Sequence, residues 1–278
     1  MNYSKIILIG RKNIKKSLLK ETSIKIVPED KIVPKKKINK FLLKKKNITT
    51  SRDGWYEQQF LKMGYSRICK KNYYLIWDVD TIPIKHFNLF ENNHPFFDMR
   101  TQRLIPYFNT INRLIPGLNF SNHSYVTEHM MIKTELMKNL LDNIEKNNEI
   151  PGILFWEKIL MAIDVQYIHG SGFSEYETYG SFVDTRYPNF YYHRNWYSKR
   201  DAKTVYDSSL NLNEDDINWL SQHYYALTFE IYQQFKEENL KFAKDKKIRN
   251  YYKPDEFFLN LKELLIKFNL TKKTKIYF

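Results

Sequence analysis

Residues 73–82 read YYLIWDVDTI, an apolar and aromatic run that ends in two carboxylates, Asp78 and Asp80. A short continuous run of aromatic and branched residues predicts a buried strand, covered on both faces of its sheet. Pro83 follows and limits the strand, because proline supplies no hydrogen for the ladder. The stretch therefore predicts a core strand with two acidic side chains at its carboxyl end.

Two aspartates beside a buried strand need a partner, because a desolvated carboxylate must be paired or bound to a cation. In an extended strand, side chains at i and i+2 point the same way. In a tight turn the two carboxylates can instead diverge around one ion. Either geometry favours a hard divalent cation with oxygen ligands, its shell completed by phosphate oxygens. The alternative is that Asp78 caps a turn and Asp80 lies in solvent.

The composition is that of a globular chain. It has 278 residues, 42% hydrophobic and 16% aromatic, and a single cysteine, Cys69. One cysteine excludes an internal disulfide and favours a reducing compartment. No apolar run reaches the roughly 18 residues that span a bilayer, and residues 5–11 are too short for a signal-peptide core. These features predict a cytoplasmic protein.

The net charge of +14 predicts an anionic partner. Seven lysines lie between Lys35 and Lys46, interleaved with Ile38, Phe41 and Leu42. The segment is typical of a solvated amphipathic helix. The alternative is a patch at the inner face of the cell membrane, where each basic residue contributes about 1 kcal/mol of attraction to anionic lipid.

Strand-like runs alternate with helical patterns, which predicts an α/β fold with its ligand at the carboxyl ends of the strands. Predicted strands include 6–9, 23–28, 94–100, 124–132 and 191–196, and one long C-terminal helix or helix pair is predicted over 213–242. We expect two domains, 1–200 with the sheet and 201–278 as a helical extension with a basic tail.

Phosphatases of the haloacid dehalogenase type also use a strand that ends in Asp-x-Asp, but the register is wrong here. They need threonine four residues after the first aspartate, and Ile82 occupies that position. There is also no Gly-rich phosphate loop that ends in Gly-Lys-Ser/Thr.

Four motifs in order resemble bacterial GT-A-type glycosyltransferases: WYEQQ at 55–59, YLIWDVDT at 74–81, EHM at 128–130 and FSEYE at 173–177. More narrowly, they look like a group found among surface-polysaccharide genes. The resemblance covers roughly the first 195 residues. It implies a GT-A-like (Rossmann-like) mixed central sheet flanked by helices.

The resemblance also implies a function: transfer of a sugar from a nucleotide-diphosphate donor to a glycan or glycolipid acceptor, with Mn²⁺ or Mg²⁺ as cofactor. The metal would bind Asp78, Asp80 and His193, and Asp78 would also contact the ribose or a metal-bound water. Glu175, with Glu177 behind it, is the expected base on the acceptor side. The expected contacts to the donor are Asp98, Arg100 and Arg194. The expected sugar pocket is formed by Glu128, His129 and Tyr176.

Each of these residues also has a structural interpretation. Glu175 and Glu177 suit a helix N-terminus, where the dipole favours acidic side chains. A histidine in an aromatic strand, such as His193, is commonly a packing residue. For the whole chain, the rival is a non-catalytic basic and aromatic binding protein for nucleic acid or anionic polysaccharide. No RNA-binding motif supports it, and we rank it below the enzyme.

The start of the chain allows two interpretations. GT-A folds usually open with a strand and helix that hold the nucleotide base. Either residues 6–9 follow a missing first strand, or they are that strand and residues 24–27 form the second. In the first case nucleotide binding would be weakened.

Overall fold

The computed structural model describes residues 6–10, 24–33 and 36–267. They form a mixed α/β structure in which small sheets are flanked by helices. The strands are β1 (Ile6–Gly10), β2 (Ile24–Pro28), β3 (Tyr73–Trp77), β4 (Thr81–Pro83), β5 (Phe90–Glu91), β6 (His94–Met99), β7 (His129–Lys133), β8 (Tyr192–Asn195), β9 (Ser198–Lys199) and β10 (Ala226–Thr228).

The helices are α1 (Lys36–Lys46), α2 (Asp53–Gly64), α3 (Ile105–Leu114), α4 (Thr134–Lys146), α5 (Phe155–Ala162), α6 (Glu175–Arg186), α7 (Lys203–Tyr206), α8 (Glu214–Leu220), α9 (Glu237–Lys244), α10 (Lys246–Tyr251) and α11 (Pro254–Lys267).

Strands β1 and β2 confirm the first two predicted strands. They pair in parallel, with Ile6 opposite Ile24 and Gly10 opposite Pro28. Both interpretations of the chain start stay predictions. Elsewhere β3 pairs with β7, and β6 lies beside β8. Because the described strands are divided among small sheets, the single central sheet is not confirmed.

Strand β3 is shorter than predicted. It ends at Trp77, and a turn follows in which the amide of Thr81 donates to the carbonyl oxygen of Asp78 at 3.1 Å. The chain then re-enters extended structure as β4. The predicted ten-residue strand is therefore wrong over 78–80, because the Asp78 carbonyl closes a local turn instead of joining a ladder.

Helices α1 and α4 confirm the amphipathic patterns in the sequence. In α1, Ile38 and Leu42 are fully buried while Lys37, Lys40, Lys44 and Lys45 are exposed; Lys35 lies outside the described residues. In α4, the leucine stripe of Leu136, Leu140 and Leu141 is buried.

Thr134 lies at the start of α4, but its side chain does not cap the helix. Lys133 is the N-cap residue, and the hydroxyl of Thr134 donates to the carbonyl oxygen of Lys71 at 2.6 Å. The hydroxyl thus ties the helix start to the loop before β3.

Contacts between α-carbons divide the chain into two compact units. The first comprises residues 1–76 and 93–193, and the second comprises residues 77–92 and 194–278. The first unit has an aromatic core in which Tyr56, Phe60, Phe97 and Tyr179 are fully buried. The expected domain limits, 1–200 and 201–278, stay a prediction.

The second unit corrects the predicted C-terminal helix. Instead of one long helix or a helix pair over 213–242, its described residues hold α8 and α9 with the strand β10 between them. Strand β10 lies between β4, which runs antiparallel to it, and β9, which runs parallel. Asn213 caps α8: its side chain accepts from the amide of Asp216 at 2.9 Å.

No helix within the described residues is long and apolar enough to cross a membrane. The end of the lysine-rich tail, residues 268–278, lies outside the described residues.

Candidate functional site

Helix α6 begins where two predicted acidic residues enter the core. Ser174 is its N-cap residue, and its side chain accepts a 3.3 Å hydrogen bond from the amide of Glu177. Glu175 and Glu177, both in the first turn, are buried. The helix start predicted from the sequence is confirmed, and the two carboxylates have different partners.

Glu177 is bound on one side of its carboxyl group only. Its Oε2 accepts from the hydroxyl of Ser124 at 2.8 Å and from the amide of Tyr125 at 3.0 Å. Its Oε1 is buried and makes no hydrogen bond within the described residues. Burial raises the pKa of Glu177 from 4.5 to about 7, and the bonds from Ser124 and Tyr125 offset part of that rise. A carboxyl group with such a pKa can both take and give a proton near neutral pH.

Four more predicted residues form two pairs in the first unit. Oδ2 of Asp98 lies 2.9 Å from Nε2 of His129, and both side chains are buried. Nη1 of Arg100 donates to Oε1 of Glu128 at 2.9 Å, and Glu128 is buried.

Backbone bonds connect the Arg100–Glu128 pair to Glu177. The amide of Arg100 donates to the carbonyl oxygen of Ser124 at 2.9 Å, and the amide of Ser124 donates back at 2.8 Å. The hydroxyl of the same serine bonds Glu177. Glu128, Arg100, Ser124 and Glu177 are therefore joined by hydrogen bonds. Together with the Asp98–His129 pair we call this set the acidic network (Asp98, Arg100, Ser124, Glu128, His129 and Glu177).

Glu175 and Tyr176 belong to a different cluster. Nζ of Lys62 lies 2.8 Å from Oε1 of Glu175 and 3.1 Å from the hydroxyl of Tyr176. The amide of Glu175 donates to the side chain of Gln59 at 3.1 Å. The ion pair with Lys62 joins α6 to α2, so Glu175 has a structural partner, and its expected role as base stays a prediction.

His193 lies beside Asp184. Its Nε2 is 2.8 Å from Oδ2 of Asp184, and this bond raises the pKa of His193. The hydroxyl of Tyr125 also bonds Asp184. The expected metal ligand is therefore one end of a Tyr125–Asp184–His193 chain.

Arg194, the expected diphosphate contact, lies in the second unit. Its Nη1 donates to the carbonyl oxygen of Asn88 at 2.9 Å, and its guanidinium lies 5.7 Å from the ring centre of Phe87.

Asp78 and Asp80 form the turn that leaves β3. Asp78 is half-buried, whereas Asp80 and Val79 are exposed. Three hydrogen bonds hold the turn. The amide of Thr81 donates to the carbonyl oxygen of Asp78 at 3.1 Å, and Nε1 of Trp77 donates to the carbonyl oxygen of Thr81 at 2.8 Å. The amide of Phe229 donates to the carbonyl oxygen of Asp80 at 2.8 Å. The backbone of the turn is thus held in place, and Asp80 is an exposed residue within it.

The donor set of this turn suits a hard cation. Mg²⁺ is commonly bound through one or two carboxylates together with substrate phosphates, and this turn supplies two. Across residues 6–10, 24–33 and 36–267, no group of three His, Cys, Asp or Glu side chains is placed to hold a metal ion.

Sequence reasoning missed Ser124, Tyr125, Asp184 and Lys62. The strand expected over 124–132 begins only at His129. Ser124 and Tyr125 therefore precede the strand, in the segment that bonds Glu177. Their signal in the sequence is slight, because a serine and a tyrosine suit a strand as well as a loop.

Comparison with known proteins identifies a family. Residues 11–247, which include the acidic network and the Asp78–Asp80 turn, match the family described as "Family of unknown function (DUF6492)". No curated protein and no solved structure matches the chain. Because the match extends over most of the sequence, the chain belongs to the family of unknown function DUF6492.

Proposed function

We propose that this protein is a metal-dependent glycosyltransferase with a GT-A-like catalytic domain. The observation that carries the proposal is the turn after β3, which presents Asp80 to solvent and Asp78 half-buried beside it. A sequence motif of two aspartates is weak evidence, because it occurs by chance in many chains. A motif in a turn that is braced by three hydrogen bonds is stronger evidence.

Asp78 and Asp80 would hold Mn²⁺ or Mg²⁺. A divalent cation bound there would supply positive charge to a nucleoside diphosphate as it leaves. The backbone of the turn would need little rearrangement to bind the cation, because hydrogen bonds from Thr81, Trp77 and Phe229 already hold it in place.

The acidic network supports group-transfer chemistry in its own unit. Ionisable groups with shifted pKa values cluster at functional sites, and Glu177 has a pKa of about 7. We assign Glu177, rather than Glu175, as the first candidate for the base that takes a proton from an acceptor hydroxyl. Oε2 of Glu177 is occupied by Ser124 and Tyr125, so proton transfer would use Oε1.

The remaining residues of the acidic network would act on sugar hydroxyls or hold each other in place. The Arg100 side chain is 26% exposed, so its guanidinium can contact a ligand while it stays paired with Glu128. Asp98 and His129 are almost fully buried, and they would position the network from behind.

The substrates and the location come from the resemblance and are part of the proposal. The proposed substrates are a nucleotide-sugar donor and a glycan or glycolipid acceptor in surface polysaccharide synthesis. The proposed location is the cytoplasmic face of the membrane. The exposed lysines of α1 would supply the contact with anionic lipid.

Calorimetric titration with a nucleoside diphosphate tests the proposal. We expect binding with Mn²⁺ that is at least about tenfold weaker with EDTA, and the same loss with Mn²⁺ in Asp80→Ala. Asp215→Ala is the matched control, because Asp215 is an exposed acid of the same unit. Binding that is equal with and without metal would contradict the proposal. Strongly salt-dependent binding that ignores Asp78 and Asp80 would instead favour the rival binding protein.

A further inference from the structure

A basic pocket lies in the first unit, at the end of the β3–β7 pair where β3 begins and β7 ends. It has a volume of about 650 Å³, within the range of small-molecule sites. Its walls are the loop before β3, the end of β7 and the first turns of α4. None of the residues expected from the sequence to form the active site lines it.

The charged residues that line this pocket are mostly basic. Glu135 is the one acidic residue among those that line it, and the cationic ones are Arg67, Lys70, Lys71, Lys133 and Lys138. The charge of Arg67 is already paired, because Arg67 forms ion pairs with Asp142 at 2.6 Å and with Glu145 at 3.0 Å. Within the part of the chain that the structure describes, no ion pair forms at Lys70, Lys71 or Lys138. The pocket therefore holds several lysines whose charge has no protein partner there.

The pocket wall is also fixed in place. The amide of Thr134 donates to the carbonyl oxygen of Asn72 at 2.9 Å, and the hydroxyl of Thr134 donates to the carbonyl oxygen of Lys71 at 2.6 Å. The amide of Cys69 donates to the carbonyl oxygen of Tyr65 at 3.0 Å. Nζ of Lys133 lies 4.8 Å from the ring centre of Tyr73, which restrains this lysine. A fixed wall lowers the cost of ordering the site on binding.

We propose that this pocket binds the phosphate group of a small phosphorylated ligand. Clustered lysines select anions, and a dianionic or more highly charged phosphate gains most from several of them. The first turn of α4 contributes backbone dipoles of the same sign. The proposal is independent of the metal-dependent site, because it uses other residues and needs no cation.

Titration of the full chain with pyrophosphate in EDTA tests this proposal, since EDTA removes any contribution from Asp78 and Asp80. We expect binding that weakens roughly tenfold or more in the double variant K70Q/K71Q. The matched control K246Q/K247Q removes the same charge from exposed positions of α10 and should bind as the unmodified protein does. Glu135→Gln should bind more tightly. No binding, or an equal loss in both double variants, would overturn the proposal.

Cys69 gives a second readout that needs no variant. It is the single cysteine of the chain and lines the pocket. Pyrophosphate should slow its reaction with a thiol reagent several-fold, whereas chloride at equal ionic strength should not. A reaction rate that does not respond to pyrophosphate would count against the site.

Vesicles distinguish the source of the phosphate. If phosphatidic acid in phosphatidylcholine vesicles retains the protein and K70Q/K71Q abolishes retention, the ligand is a lipid headgroup. If K70Q/K71Q affects pyrophosphate binding alone, the ligand is a free phosphorylated molecule.

Discussion

The hydroxyl of Ser124 donates a 2.8 Å hydrogen bond to Oε2 of Glu177, and both residues are almost fully buried. This bond connects the segment before β7 to the first turn of α6. Together with the backbone bonds between Ser124 and Arg100, it brings residues from distant parts of the sequence into one network. The consequences of this arrangement can be measured.

The ionisation of Glu177 should affect stability. The pKa of Glu177 is raised from 4.5 to about 7, so the folded protein binds the proton more tightly than the unfolded chain. Its contribution to stability is therefore complete below pH 4.5 and falls as the pH rises towards 7, by on the order of 3 kcal/mol. Glu177→Gln is neutral and can still accept from Ser124, so it should lack this loss.

The measurement is the free energy of unfolding in urea at several pH values for both proteins. We expect the difference between them to grow between pH 4.5 and 7 in favour of Glu177→Gln. A constant difference across that range would show that Glu177 is ionised throughout.

The Asp98–His129 pair should be costly to break. Removal of one partner from a buried, hydrogen-bonded pair leaves the other unsatisfied, and Asp98→Ala should destabilise the protein by about 3 kcal/mol. Asp98→Asn keeps an oxygen acceptor for the imidazole and should cost about 1 kcal/mol. Urea unfolding compares the two variants. Equal losses would indicate that packing, and not the hydrogen bond, stabilises this position.

Gly180 sets the approach of α6 to Tyr125. A Cβ at this position would collide with the Tyr125 ring, and the amide of Tyr125 bonds Glu177 one turn earlier in the helix. Gly180→Ala should gain about 1 kcal/mol of helix propensity and lose more to overpacking, with a net loss of about 1–2 kcal/mol.

Gly170→Ala is the matched control for Gly180→Ala. A Cβ at Gly170 meets only the carbonyl oxygen of Tyr167, at 3.9 Å, so its effect should stay within about 0.5 kcal/mol. Thermal unfolding of both variants tests the contrast. A stabilised Gly180→Ala would mean that the ring of Tyr125 moves aside freely.

Much of the fold and part of the site could be predicted from local patterns. The apolar spacing of α1 and α4 gave their buried faces, and Asn213 marked the start of α8. Asp98, Glu128, His129 and Glu177 were selected individually from their motifs. The connection of Glu128 to Glu177 through Arg100 and Ser124 depends on tertiary contacts, so the sequence offered no direct sign of it.

The errors came where strand pairing or a turn overrides the local sequence pattern. Residues 226–228 lie in a stretch with helical spacing, but pairing with β4 and β9 makes them a strand. Such pairing overrides local propensity, because a strand between two partners satisfies its backbone groups. Likewise, Asp78–Asp80 continued an apolar run, but the bond from Thr81 to the Asp78 carbonyl makes a turn.

The most direct test of the proposed function is release of a nucleoside diphosphate from a panel of nucleotide sugars with Mn²⁺. We predict turnover of at least one donor that stops with EDTA, returns with added Mn²⁺, falls at least about 100-fold in Asp80→Asn and persists in Asp215→Asn. Turnover that survives both EDTA and Asp80→Asn, or no metal-dependent release from any donor, would contradict it.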